Sequence, residues 1–492
     1  MKKYDQHHNI AYNYTPAKVI YAEVVADISD YLKKRDGNQF SIRSGGHHHE
    51  AMCTLDQGHV LDLSRLKLKV EVLTSDACKP FLLENRQETY QAKFAAWLPS
   101  NLTNEEVLNL PELSENGILK KIIPIGSCSQ VSLGGYILGG GWNLLGRKYG
   151  WACDSLLAVE LVLADGRIEI VSEQHLPDLF KALKGSGGGN FGIVTRFLMK
   201  LYDTDQIWSF MGAYKKGMDF TANLENWILK QHTTDNTITS YLTIQDSLGV
   251  NFGGYFIFFE KDKSIKEELL TYFGNQSEIY EKTIQAIAHK HEPHIPTLQA
   301  LTNGNQLFTN ELKTMDFRLP FEISALLSSR ASAKASYKCK EPVAHKVTSA
   351  FLKEEFSQCP RPFISCIETF IKANKVKGAF NIITLHAIGG ETKNGNNVLA
   401  YTNKTILVQI QSWWLEKEDA PICRAWVSNF RSALEPFIKG AFINFQDSDI
   451  QLNEYYGTDY PSLQQIKREY DPHQVFNFPM AIPLNNKSES TK

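Results

Sequence analysis

Two glycine turns in this chain each carry one nucleophilic side chain. The first reads Arg43-Ser44-Gly45-Gly46-His47. The second reads Gly126-Ser127-Cys128-Ser129-Gln130-Val131-Ser132-Leu133-Gly134-Gly135 and runs on to Gly139-Gly140-Gly141. Without a Cβ, glycine backbone can lie flush against a flat ligand. An imidazole and a thiol on such backbone could hold a planar cofactor by covalent bonds. A third glycine loop, Gly185-Ser186-Gly187-Gly188-Gly189-Asn190-Phe191-Gly192, leads into Ile193-Val194-Thr195.

Other chemistries fit these residues less well. The string from Gly134 to Gly150 does not follow a strand and open a helix as a dinucleotide fingerprint requires, and it lacks the Gly-Lys-Ser/Thr ending of a P-loop. His47-His48-His49 invites a metal, but consecutive histidines on a strand point to opposite faces. No cysteine or carboxylate cluster stands nearby at ligand spacing, so no metal is expected.

The elements around these turns read as follows. Residues 17–34 have helical spacing at Val24, Ile28 and Tyr31. Phe40–Arg43 and His59–Leu63 read as short strands. Ala158–Ala164 and Arg167–Val171 flank an Asp165-Gly166 turn and form a hairpin. A short helix over Asp178–Lys184 leads to the third glycine loop, and Ile193–Phe197 returns as a strand. From about residue 206, strands such as Ile238–Gln245 and Phe252–Phe259 alternate with helical patterns, which indicates antiparallel sheet covered by helices. Asn381–Ile388 alternates as a strand. No internal repeat is present.

Bulk properties narrow the function. The 492 residues are 43% hydrophobic, with a formal net charge of −2, which does not suit a basic nucleic-acid binder. Aromatic residues are plentiful, which suits a packed enzyme. No apolar run reaches membrane-span length, and the opening residues have no apolar core of the signal-peptide kind. The eight cysteines form no C-x-x-C pair. They read as reduced thiols and the protein as cytoplasmic, with Cys128 set apart by its glycine and small polar neighbours.

Order and spacing of these motifs resemble the berberine-bridge-enzyme-like oxidases of the vanillyl-alcohol-oxidase superfamily. The strings are R-S-G-G-H, G-S-C-S-Q-V-S-L-G-G-Y-I-L-G-G-G-W, R-K-Y-G-W-A-C-D, V-L-A-D-G, G-S-G-G-G-N-F-G-I-V-T and the closing Y-Y-G-T-D-Y-P-S-L-Q-Q-I-K-R-E-Y-D-P-H-Q-V-F-N-F. The resemblance covers roughly residues 16–205 and 375–483. It implies an α+β fold: a two-part FAD-binding domain from residues 1–205 and 440–492, and a substrate domain of antiparallel sheet covered by helices from 206–439.

The same resemblance implies FAD bonded covalently to His47 and Cys128. It places Arg43, Ser44, Gly45, Gly46, His48, Gly134, Gly135, Gly139, Gly140, Gly141, Tyr149, Gly192, Ile193, Val194 and Asp459 at the cofactor. Gly126 and Val131 match small residues that leave room for O2, the pattern of an oxidase. One position departs. Many family members carry a tyrosine base where this chain has Phe445, in Phe442-Ile443-Asn444-Phe445-Gln446-Asp447. A phenyl ring accepts no proton, so the base moves elsewhere or is not needed. His386 is the first candidate, since imidazole suits proton removal near neutral pH. Tyr455, Tyr456 and Glu391 follow.

The expected activity is therefore an FAD-dependent oxidase acting on a small molecule. The substrate is a secondary-metabolite alcohol or a molecule undergoing oxidative cyclisation, and electrons pass to O2 to give hydrogen peroxide. The alternatives are a carbohydrate oxidase forming lactones, or a flavin-bound module without redox turnover. Neither a nucleic acid nor a membrane is expected as partner.

Overall fold

The computed structural model describes residues 7–83, 93–116, 118–128, 130–204, 208–213, 219–233, 236, 238–245, 251–258, 278–280, 344–374, 376, 379–414 and 416–484. It is an α+β molecule in which three sheets frame one cleft. The first sheet has β1 (Lys18–Tyr21), β2 (Phe40–Arg43) and β3 (His59–Asp62) in the order β1-β3-β2, with both pairings parallel. The helix expected over residues 17–34 is shorter: α1 spans Val25–Lys34. Val19, Ile20 and Tyr21 are β-branched or aromatic and suit a pleated surface. The Asp27 carboxylate accepts from the backbone N–H groups of Glu23 and Val24 at 2.8 and 3.0 Å, which starts the helix at this point.

The second sheet is antiparallel. Its strands are β4 (Glu71–Leu73), β5 (Ala95–Pro99), β6 (Leu156–Val162), β7 (Ile168–Ser172) and β8 (Ile193–Lys200), in the order β7-β6-β8-β5-β4. β6 and β7 form the hairpin around Asp165-Gly166. Between β5 and β6 lies α2 (Leu133–Leu138). The glycine string therefore does open a helix, though it follows a loop and not a strand.

Among the described residues, the third sheet has eight strands, all paired antiparallel. They are β9 (Trp208–Ala213), β10 (Ile238–Gln245), β11 (Asn251–Phe258), β12 (Glu278–Tyr280), β13 (Ala344–Leu352), β14 (Ala379–Ala387), β15 (Ile406–Trp414) and β16 (Ile438–Lys439). Their order is β12-β9-β11-β10-β14-β15-β13-β16. Three helices cover one face: α3 (Phe220–Thr233), α4 (Arg361–Ala373) and α5 (Ala420–Leu434). On α4, Phe363, Ile364, Ile367 and Ile371 recur at helical spacing and are buried. They meet Leu242, Ile383, Leu385, Val408 and Ile410 of the sheet. Each such side chain contributes about 1.5–3 kcal/mol by leaving water. The period of two in a strand then sends the intervening residues to the other face, toward the cleft.

The C-terminal segment packs against the N-terminal part. Phe442, Ile443, Tyr455, Tyr456, Leu463 and Ile482 share a core with Leu98, Ile137, Leu138 and Phe197. Phe476 joins Phe40 and Leu61 under the first sheet. α6 (Tyr460–Tyr470) carries Lys467, whose buried ammonium is 2.7 Å from the Asp471 carboxylate.

Candidate active site

The two glycine turns meet face to face. A Cβ at Gly45 would come within 2.7 Å of Ser132 Oγ, and one at Gly134 within 3.0 Å of Ser44 Oγ. A side chain at Gly45 would force Ser132 to shift, and one at Gly134 would crowd Ser44. Ser132 Oγ donates to Ser44 Oγ at 2.8 Å, and Ser44 Oγ and Gly134 N both donate to the Ser100 carbonyl at 2.8 Å. The Cys128 carbonyl accepts from Asn104 Nδ2 at 2.9 Å, which holds the second turn in place. This stitching brings residues 81 positions apart, His47 and Cys128, to the wall of one cleft of about 350 Å³.

Backbone forms much of that wall. Ser44, Gly45, Gly46, Gly134, Gly135, Gly139, residues 186–190, Gly192, Ile193 and Val194 all line it. A Cβ built on Gly135 meets nothing within 4 Å. The C-terminal segment reaches the same place through Asn444. Its side-chain oxygen accepts from Gly141 N at 2.9 Å, and its amide donates to the Gly135 carbonyl at 3.1 Å.

The open face of the third sheet lies opposite. Alternate residues project from it: Tyr241 and Thr243 on β10, Ile382, Thr384 and His386 on β14, and Gln409, Gln411 and Trp413 on β15. His386 is 5% exposed. It packs edge-on to Trp142 at 4.2 Å, stacks on Phe445 at 5.6 Å and lies 5.8 Å from Tyr241. Its Nε2 is 3.1 Å from Gln409 Oε1. Burial pushes its pKa down to about 4. The ring is therefore neutral at ordinary pH.

His47 sits among other histidines. Its ring stacks on His8 with centroids 4.5 Å apart, and His49 Nδ1 is 3.1 Å from His345 Nε2. Burial, with His8 and His49 adding to it, pushes the His47 pKa down to about 3. The imidazole is unprotonated and keeps a lone pair for bonding. His48 faces Gln446, with its Nε2 3.0 Å from that side-chain oxygen, while its Nδ1 accepts from Glu50 N at 3.1 Å. Among the described residues, no group of three or more His, Cys, Asp or Glu is placed to hold a metal ion.

Several residues singled out in the sequence stand elsewhere. Tyr455 is buried behind the wall, its hydroxyl donating to the Asp447 carbonyl at 2.9 Å and accepting from Asp447 N at 2.8 Å. Tyr456 lines the cleft, but its hydroxyl donates to the Ser186 carbonyl at 2.8 Å. Burial pushes both phenols well above their ordinary pKa. Glu391 is exposed in the short turn Gly390–Lys393. Tyr149 stacks on Tyr202 at 3.8 Å, and Asp459 pairs with Lys181 at 3.5 Å. The Arg43 side chain is turned to Asp62, 2.8 Å away and buried. At Gly140, a side chain would meet Leu399, and at Gly141 it would meet Ala152 and Tyr136, so these two glycines serve packing. Gly126 and Val131 do line the cleft. A methyl group on Gly126, however, would point at Asn104 and Tyr136, 3.1 Å from each.

The cleft is also lined by His8, Trp142, Tyr241, Gln409, Gln411, Trp413 and Asn444, which no motif in the sequence marks as site residues. The alternation in Val408-Gln409-Ile410-Gln411 was a usable signal, since two amides on one face of an apolar strand need a reason. For His8 and Asn444 the sequence holds no such pattern.

The chain is similar to several known proteins. Residues 441–483 match the family model "Berberine and berberine like", and residues 110–172 match "FAD binding domain". An uncharacterized FAD-linked oxidoreductase of Bacillus subtilis, YgaK, is 26% identical over 492 residues, covering 98% of this chain and 94% of its own. Berberine bridge enzyme-like 24 of Arabidopsis thaliana is 25% identical, covering 92% and 80%. The structure of Physcomitrella patens BBE-like 1 superposes with a TM-score of 0.75 at 20% identity, covering 98% of this chain and 94% of that one.

Proposed function

We propose that this chain is an oxidase of the berberine-bridge-enzyme-like, FAD-linked kind, with its FAD bonded to both His47 and Cys128. The observation that carries the reading is that one cleft receives both nucleophiles on glycine backbone and faces a neutral, buried His386 across it. A cleft wall of bare backbone, with Gly135 open toward it, fits a flat ring. The residues that would hold the cofactor are His47, Cys128, and the backbone of Ser44–Gly46, Gly134–Gly135 and Gly187–Gly192. Residues 1–205 and 440–492 make up the cofactor-binding part, and residues 206–439 provide the substrate wall. When bound, FAD would supply a hydride acceptor whose electrons could go on to O2, giving hydrogen peroxide.

The protein's own residues then have distinct tasks. His386 accepts the proton that leaves a substrate hydroxyl as the C–H bond breaks. Phe445 cannot do so, and it serves as an apolar wall stacked on that imidazole. Gln409, Gln411 and Thr384 offer polar contacts to a small molecule, between the rings of Tyr241 and Trp413. The substrate read from this roof is a small-molecule alcohol. Tethering is tested by mass and by denaturation. The intact protein should exceed its chain mass by one FAD. Alanine at either His47 or Cys128 should leave a single bond, and alanine at both should free the flavin on denaturation. Wild-type protein that releases all its flavin when denatured would refute the tethers.

A further inference from the structure

We propose that Gln409 is a positioning residue: its side-chain carbonyl holds the His386 ring with the proton on Nε2 and leaves Nδ1 as the acceptor for a donor group of the substrate. The inference rests on the reading of His386 as the proton acceptor and deepens it. Gln409 Oε1 lies 3.1 Å from His386 Nε2. A side-chain carbonyl oxygen can only accept, so the ring nitrogen facing it must donate. In a neutral imidazole the other nitrogen is then a bare lone pair. That nitrogen, Nδ1, is buried and has no hydrogen-bond partner among the described residues.

The strands enforce this pairing. Thr384 lies opposite Gln409, and His386 opposite Leu407, so Gln409 is the diagonal neighbour of His386 on the same face. The ring cannot turn freely, because Trp142 stands edge-on at 4.2 Å on one side and Phe445 stacks at 5.6 Å on another. Buried acceptors in folded proteins are almost always paired. One left open at a cleft wall, on a ring clamped by aromatic neighbours, is completed by a hydroxyl or N–H that arrives with the ligand. The amide thus does more than fill space: it decides which nitrogen meets the substrate.

The ring can be observed without turnover. Full-length flavoprotein carrying 15N-histidine is examined at pH 7 by long-range 1H–15N correlation, with His386→Asn identifying the signals. The wild type is expected to show His386 as a single form protonated on Nε2. Gln409→Leu should replace it by a mixture of forms, and Gln409→Glu, which keeps an accepting oxygen, should retain the proton on Nε2. Benzyl alcohol should then move the Nδ1 signal, and anisole, which has no donor, should not. A wild-type ring protonated on Nδ1, or a Gln409→Leu variant with an unchanged single form, overturns the assignment. So does a Nδ1 signal that fails to move with benzyl alcohol or moves equally with anisole. A His386→Asn variant that reduces its flavin at the wild-type rate would sink the base reading alone, and the spectra would still decide the role of Gln409.

Discussion

His386 is held neutral by burial, with its pKa pushed down to about 4. A neutral ring is available as acceptor at every pH above that value and is lost below it, as the ring protonates. Flavin reduction by substrate is therefore expected to be level from pH 8 to about pH 5 and to fall toward pH 4, when followed by stopped-flow absorbance. A fall centred near the ordinary histidine value of 6.5 would contradict the burial argument. General-base assistance is typically worth ~10²–10⁴-fold. His386→Ala should lower the limiting reduction rate by about that factor with bound flavin retained. In the proposed oxidase cycle, Val131 bears on the other half, reoxidation. It lines the cleft beside the Cys128 turn and donates its N–H to the Cys128 carbonyl at 3.3 Å. Val131→Leu adds bulk there. Reoxidation in air should slow much more than reduction does, and an equal slowing of both would remove Val131 from the oxygen path. Gly126 is the poorer probe, since an added methyl would push first on Asn104 and Tyr136.

At the scale of elements, the roof is a sheet with two unlike faces. Ile383, Leu385, Val408 and Ile410 face the helices, while Thr384, His386, Gln409 and Gln411 face the cleft. A one-residue slip in β14 or β15 would exchange these sets, so the packing of α3, α4 and α5 keeps the site residues in register. Ile367 lies fully buried on α4, in the middle of that contact. Ile367→Ala should cost about 2–5 kcal/mol, the usual range for emptying such a position. Urea denaturation would measure it. Bound flavin should remain, because the core in which α4 packs contains no residue of the glycine turns. A change under about 0.5 kcal/mol, the usual surface value, would mean that this helix does not anchor the roof.

At the scale of the whole molecule, one buried lysine joins the parts. Lys346 on β13 is 3.0 Å from Glu50, which follows the histidine run, and 2.6 Å from Asp447 of the C-terminal segment. Tyr12 of the N-terminal arm and Ser448 also donate to Glu50. Burial alone would lower the Lys346 pKa, but Asp447 and Glu50 outweigh it and raise the value. The ammonium is thus charged and paired. Lys346→Met would leave two buried carboxylates without their cation, which typically costs about 3–5 kcal/mol. The urea midpoint should fall accordingly, and the His47 loop, which is one end of this network, should lose order with it. An unchanged midpoint would show that the three segments hold together without this lysine.

Much of the cofactor side was legible in the residue order. Gly45 and Gly134 were visible as turns, and His47 and Cys128 as nucleophiles on them, because a missing Cβ and a reactive side chain are local properties. The Asp165-Gly166 hairpin and the alternation over Asn381–Ile388 were equally local. Where local signals competed, tertiary pairing decided. Residues 18–21 left the helical pattern because β3 offers them a parallel partner, and Leu133–Leu138 became a helix although glycine disfavours one. Only the folded chain could place Tyr455, Tyr149 and Asp459 away from the cleft, bring Asn444 and His8 into it, or set Gln409 against His386. Their roles depend on which distant backbone or ring they meet: Gln409 on His386 across a strand pair, Asn444 on Gly135 and Gly141, and His8 on His47. Such contacts join residues far apart in the chain, and no periodicity or spacing in the sequence encodes them.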